Sequence, residues 1–390
     1  MTARRDTLAG LRVLDFSNFI AGPFCGRLLA DAGAEVVKIE TFAGDMIRQR
    51  APFRGAMSTY FAQLNCGKQS IVLDLKTPAG RDAARALAAR ADVIVENFKP
   101  GVMRRLGLGY EALAPVNPRL VYCAISGFGQ TGPAAARPAY APVIHALCGY
   151  DLAQREYQGA ERPAKTGLYV ADVLGAVHAY SAILLALRER DATGRGQSID
   201  FALMDAMLGM MVLEMQMAQF PLDTPRLLYV PLRARDGFLM IAAISPKNLA
   251  SLAHAIGMPH LIDDPRFATV AARESNWEAL MAIVETWTLQ RSAEECERYL
   301  LEKHVPCARY RTVAEAMADP QIASRGSLAR LGTPGADYLV ANPPYRMSAS
   351  RTEARSHVAK PGEDGSAVLH DWLGWDDARV AALKEAKALG

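Results

Sequence analysis

Through residues 11–126 the apolar positions fall into short unbroken runs separated by amphipathic stretches: "LRVLDF" (11–16), "AEVVKIE" (34–40), "QSIVLDL" (69–75), "DVIVENF" (92–98) and "RLVYCAIS" (119–126). Runs of this length that are apolar at both odd and even positions predict strands of a parallel sheet covered on both faces. Between them, "AGPFCGRLLADAG" (21–33) and "TPAGRDAARALAARA" (77–91) carry helical spacing. Thr77 and Pro78 stand at the start of the second of these and Gly33 just past the end of the first, which is where helix caps belong. Strand, helix and strand within residues 11–40 make one βαβ unit, and the pattern then repeats. The expected fold class is therefore α/β, with a Rossmann-like parallel sheet.

From about residue 140 to 220 the spacing is helical, ending in the methionine-rich "SIDFALMDAMLGMMVLEMQMAQF" (198–220), which reads as core or subunit contact because Met fills irregular gaps. The Pro- and Arg-bearing stretch 221–238 reads as a linker. Beyond it, the strand "FLMIAAI" and the helices "LASLAHAIG" and "NWEALMAIVETWTLQ" predict a smaller α+β domain. The expected division is a large domain at 1–224, a small one at 225–325, and a C-terminal segment, 326–390, whose last helix packs back on the large domain.

With 390 residues, 51% of them apolar, the chain can bury a sizeable core. Its 44 basic and 41 acidic residues are well mixed, so no face is built for a polyanion and nucleic acid is not an expected partner. The six cysteines are scattered without a C-x-x-C pair or a His/Cys cluster, which predicts reduced core residues and no metal site. No signal-peptide stretch precedes the first strand, and the longest uncharged run, 173–187, is too short to span a bilayer. The expectation is a cytoplasmic protein without a membrane partner.

Two motifs carry candidate chemistry. Gly127-Phe-Gly129-Gln-Thr-Gly132 has the G-x-G-x-x-G form, but it follows the wrong strand for a dinucleotide fingerprint, and Pro133 and Pro138 break the helix it would have to open. It reads as a glycine loop near a ligand. In "KTGLYVADVLGAVHAYSAILLAL" (165–187), Asp172 is a single carboxylate at the head of an apolar, small-residue run. It is either a helix N-cap or a nucleophile whose charge is stabilised at a helix N-terminus. His178 lies on a different face of that helix and reads as a structural histidine.

The segments "GLRVLDFSNFIAGPFCGRLLADAGAEVVKIE", "GDMIR", "NCGKQSIVLDLKTPAGRDAARAL", "ADVIVENFKPGVMRRLGLGYEAL", "NPRLVYCAISGFGQTGP" and "TGRGQSIDFALMDAM" closely resemble the class III coenzyme A transferases, the formyl-CoA and carnitine-CoA transferase family. "DGFLMIAA", "DPRFATVAARESNWEAL" and "VPCARYRTVAEAMADPQIASRG" extend the resemblance through the smaller domain.

The resemblance implies an interlocked homodimer and makes Asp172 the covalent nucleophile. By this reading Asp172 attacks a donor thioester, CoA thiolate returns to the aspartyl carbonyl, and an acceptor acid takes CoA by the reverse sequence. Backbone N–H groups of the loop with Gly127 and Gly129 are then candidate oxyanion donors. The resemblance also places CoA, as a substrate with no permanently bound cofactor, near Val37, Arg48, Leu73, Leu75, Asn97, Arg105 and Leu106.

Ile20 and Tyr140 mark the substrate pocket where this chain departs from its relatives. Ile20 replaces the Gln of formyl-CoA transferases, which argues against oxalate as acceptor, and a small dicarboxylate is expected instead. Tyr140 stands where 2-methylacyl-CoA racemases carry a His, and His145 lies off that register. The alternative functions are such a racemase or a non-catalytic acyl-CoA-binding subunit.

Overall fold

The computed structural model describes residues 5–222, 227–332 and 336–390. Two compact units divide the chain. One comprises Met1–Val212 with Ala323–Gly390, the other Leu213–Ile322, so the second unit starts ahead of the Pro- and Arg-bearing stretch.

The first unit is built on six strands: β1 (Arg12–Asp15), β2 (Glu35–Glu40), β3 (Lys68–Val72), β4 (Val93–Glu96), β5 (Val121–Ser126) and β6 (Ser198–Ala202). They pair in the order β3-β2-β1-β4-β5-β6 with every pairing parallel. This is the strand order of the doubly wound dinucleotide-binding fold, in which chain direction across the sheet reverses between β1 and β4. Val13, Val36, Val95, Cys123 and Ile125 point to one face and pack under α1 (Ala21–Asp31) and α5 (Val170–Thr193). Leu14, Val37, Ile71, Ile94 and Tyr122 point to the other, beneath α2 (Pro78–Ala88); α3 (Val102–Arg105) and α4 (Ala141–Leu147) lie between α2 and α5 in the chain. Alternate residues buried on opposite faces account for the unbroken apolar runs.

β6 corrects the helical reading of residues 198–220. Ser198–Ala202 is the outer strand beside β5, with Ile199 and Phe201 turned toward the core while Ser198 and Asp200 are exposed. Helix begins only with α6 (Leu203–Met210). Thr77 caps α2 by accepting the Gly80 N–H, with Pro78 in the first turn. Helix α5 runs on past the uncharged segment to Thr193 and is, by length and composition alone, long enough to cross a membrane. Ala171, Gly175, Ala176, Ala179 and Ile183 form its buried face, and Val173, Val177, His178 and Leu185 are exposed, which corrects the structural reading of His178.

The C-terminal segment closes the second face of the sheet. Val368, Leu369 and Trp372 on Gly365–Leu373, and Val380 and Leu383 on Asp377–Glu385, join the core of Leu14, Ile71 and Leu73. Arg5–Asp6 pairs in parallel with Ser350–Arg351. The second unit has its own core around a three-stranded antiparallel sheet of Leu232–Arg233, Phe238–Ile241 and Cys307–Arg309, packed by helices Pro246–Ala255, Trp277–Thr288 and Ala293–Glu302.

Candidate active site

The cleft that contains Asp172 opens at the carboxyl ends of the strands, at the reversal point between β1 and β4, where doubly wound sheets bind their ligands. It encloses about 390 Å³. The segment after β1 contributes Asn18, Phe19, Ile20 and Ala21, and the segment after β4 contributes Asn97, Phe98 and Lys99. Ile125, Ser126 and Gly127 at the end of β5, Pro138, Ala139 and Tyr140, and the isolated Met46, Asp172 and Leu203 complete the wall. Most of this surface is apolar, so charge that enters it loses water.

Asp172 is the third residue of α5 and not its N-cap, a position taken by Tyr169, which makes no side-chain capping bond. Among the described residues no hydrogen bond or ion pair reaches its carboxylate. Burial pushes its pKa up to about 6. The carboxylate therefore combines incomplete solvation with the positive end of a long helix, the former raising its reactivity and the latter keeping it ionised near neutral pH. Gly175, one turn on, lets α6 come close: a Cβ there would lie 2.4 Å from a methyl of Leu203, itself a cleft residue.

The loop after β1 is held from beneath by buried charge. Lys38, 1% exposed, donates to the Ser17 carbonyl at 2.7 Å and pairs with Asp45 at 3.0 Å. Lys68 donates to Asp15 at 2.7 Å, to the Pro23 carbonyl and to Asn65, while Asp15 accepts from both the N–H and the hydroxyl of Ser17. Burial alone would raise the Asp15 carboxyl; the ammonium groups of Lys68 and Lys38 outweigh it and hold the carboxyl below its ordinary value. On this base Phe19 sits at φ 67°, a left-handed backbone that bulky residues avoid, with its ring edge-on to Tyr140 at 5.8 Å.

The sequence pattern described as CoA-transferase family III matches residues 8–365. The chain belongs to that family. The transferase is 36% identical to the succinyl-CoA:mesaconate CoA-transferase of Haloarcula marismortui, over 87% of this chain and 90% of the relative. It is 34% identical to the succinate–glutarate CoA-transferase of Agrobacterium fabrum, over 84% and 85%. Among solved structures, a CAIB/BAIF family protein from Brucella suis superimposes with a TM-score of 0.83 at 34% identity, covering 95% of this chain and all of the other.

Of the residues expected at the site of this transferase, Ile20, Asn97, Gly127, Tyr140 and Asp172 come together in the cleft. Others do not. Val37 and Leu73 are fully enclosed in the core, so their side chains are closed to a ligand. Leu75 and Leu106 are half-buried against the same core, and Arg105 is exposed at the end of Val102–Arg105; none of the three lines the cleft. Arg48 is committed internally: it grips Glu40 with two donors at 2.8 and 2.6 Å, donates to the Ala359 carbonyl and covers the Phe61 ring.

Gly129, at φ 85°, faces the Asp200 carboxylate, which accepts the Gln130 N–H at 2.8 Å. That N–H is consumed, and the far side of the loop borders a separate cavity lined by Glu96, Tyr122 and Asp200. Of the two glycines, only Gly127 faces Asp172's cleft. Sequence reasoning missed the rest of the wall, Asn18, Phe19, Met46, Phe98, Lys99 and Leu203 among it. The available signal was position, since Asn18 and Phe98 lie within three residues of the ends of β1 and β4.

Proposed function

We propose that this transferase moves CoA from an acyl-CoA thioester to a small dicarboxylic acid through a covalent adduct on Asp172. The observation that carries the reading is an unpaired, poorly solvated carboxylate in the first turn of α5, inside an apolar cleft at the sheet's reversal point. Such a carboxylate attacks the donor thioester carbonyl and expels CoA thiolate, giving a mixed anhydride. The thiolate attacks the aspartyl carbonyl and releases the donor acid, leaving an aspartyl-CoA thioester. An acceptor carboxylate attacks that thioester and again expels thiolate, which takes the acceptor acyl group and regenerates Asp172. Phe19, Ile20, Met46, Phe98 and Leu203 in the wall support this chemistry, because an activated aspartyl carbonyl survives only where water is scarce. The dicarboxylate preference is supported by the relatives named for mesaconate and glutarate.

The experiment is to incubate the protein with succinyl-CoA and no acceptor, then analyse the peptide containing Asp172 by mass spectrometry with and without hydroxylamine. An adduct that hydroxylamine converts to a hydroxamate at Asp172, absent in Asp172→Ala together with all transfer, is the expected result. Turnover retained by Asp172→Ala would sink the assignment. Solvent deuterium entering the α-carbon of a 2-methylacyl-CoA without any adduct would indicate a racemase.

Two further properties belong to this reading. The transferase acts as a homodimer in which the exposed apolar residues of α5, Val173, Val177 and Leu185, are covered; sedimentation at low micromolar concentration should give a dimer, and a fully active monomer would contradict it. It works in the cytoplasm, where its six cysteines stay reduced; the first five are buried and Cys307 is partly so.

A further inference from the structure

His145 sits on Ala141–Leu147, the helix that begins directly after the cleft residue Tyr140, and is 1% exposed. Its Nε2 accepts the backbone N–H of Ala171 at 3.0 Å. Ala171 is the second residue of α5 and the immediate neighbour of Asp172. The first-turn N–H groups of a helix have no partner within it, and the N-cap of α5 supplies no side-chain acceptor. A ring nitrogen from a different helix takes that place.

An accepting nitrogen carries no proton, so the ring is neutral with its hydrogen on Nδ1, which is buried and has no partner among the described residues. The groups around it are few. The Tyr150 ring lies 5.4 Å away, the Cys148 thiol donates to the His145 carbonyl, and Asp151 is the nearby charge. Burial lowers the imidazole's pKa and Asp151 only partly offsets this, so the accepting form persists through the neutral range.

We propose that His145 is a positioning residue for the reaction: by accepting the Ala171 N–H it ties the first turn of α5 to the helix behind Tyr140 and holds the Asp172 carboxylate against the cleft. The proposal rests on the reading of Asp172 as nucleophile. A carboxylate that must meet a thioester carbonyl within a near-attack distance is sensitive to small displacements, and an error of about 1 Å costs on the order of 100-fold in rate. A neutral acceptor also leaves the positive end of the helix uncompensated by a second carboxylate, so that Asp172 is the one acid there.

The test compares His145→Gln, whose amide oxygen reaches the place of Nε2, with His145→Leu, which fills similar space and accepts nothing. Adduct formation on Asp172 is followed in a single turnover at saturating succinyl-CoA. His145→Gln should react within about threefold of the unaltered protein and His145→Leu about 10- to 100-fold more slowly, with succinyl-CoA affinity unchanged in both. Equal rates in all three, or equal slowing in both variants, would overturn the positioning role. Should His145→Leu fail to fold, the ¹⁵N shift of Nε2 in the unaltered protein decides: an unprotonated nitrogen at neutral pH supports the role and a protonated one refutes it. Absence of any adduct in the unaltered protein would instead refute the nucleophile reading, and the positioning role with it.

Discussion

Asn97 clamps Asn18 from both sides: its side-chain carbonyl accepts the Asn18 N–H at 2.8 Å, and its amide donates to the Asn18 carbonyl at 2.7 Å. The pair joins the ends of β1 and β4, the two strands that flank the cleft, and fixes the backbone on which Phe19 holds its left-handed conformation. Asn97→Ala should therefore lower kcat/KM by about tenfold or more and cost about 1–3 kcal/mol of stability, the usual toll of two partly buried backbone groups left unpaired. Asn97→Asp keeps the acceptor, loses the donor, and should fall between. Steady-state kinetics beside denaturant unfolding would check this, and an Asn97→Ala enzyme with unaltered kinetics would show that the clamp has no part in the chemistry.

The acid limb of the first half-reaction should titrate near pH 6. As the proposed nucleophile Asp172 has to be ionised to attack, and burial has raised its pKa to about 6 from an ordinary value of 3.8. The rate of adduct formation measured from pH 4.5 to 8 should rise through that region and then level. A limb centred near 4 would mean that the carboxylate is well solvated in the working enzyme.

The same shift predicts that the site costs stability. Because the folded pKa lies above the unfolded one, the folded state binds more protons between pH 3.8 and about 6, and stability is lost as the pH rises through that window. Asp172→Asn, which removes the charge, should therefore be more stable than the unaltered protein at pH 8, by roughly 1–3 kcal/mol, and equally stable near pH 3.5. Unfolding curves at the two pH values would test the sign. A variant less stable at pH 8 would show that the charge is supported by partners.

Arg48→Met separates an internal clamp from a ligand contact. The side chain of Glu40 has no solvent exposure and is gripped by Arg48, so removing the guanidinium strands a buried carboxylate and should cost about 3 kcal/mol. In the folded fraction, KM for succinyl-CoA should change less than threefold. Pairing the change with Glu40→Gln should recover part of the stability. A large rise in KM without destabilisation would return Arg48 to the CoA site.

Much of the fold was legible because strands covered on both faces write themselves as apolar runs, and β1 to β5 all do. β6 did not, because an outer strand alternates, and "SIDFA" merges into the methionines that follow it. In the site, Asp172 stood out as one acid at the head of an apolar helix, and the family resemblance gave it a role. The burial of the Val37 and Leu73 side chains was hidden for a physical reason: an apolar residue in a strand or just past one looks the same in sequence whether it meets a ligand or the opposite core. The partner of Arg48 was equally hidden, since Glu40 lies eight positions away across a turn that no periodicity describes. The bond from His145 to Ala171 spans 26 positions and two helices, and only tertiary structure brings the two together.

The pairing of Arg5–Asp6 with Ser350–Arg351, together with the closing of the sheet's second face by residues 365–389, has a consequence for synthesis. The strands that frame the cleft emerge early with α2 over part of this face, yet the part that Gly365–Leu373 and Asp377–Glu385 cover stays open to water until nearly the whole chain has been made. In the interval Ile71 and Leu73 lack the C-terminal residues Gly365 and Leu389 that lie against them, with the entire Leu213–Ile322 unit still to be translated before that cover arrives. A nascent chain of this transferase is thus expected to gain from a holding chaperone, and a nonsense mutation late in its coding sequence should leave an aggregation-prone protein with every cleft residue present.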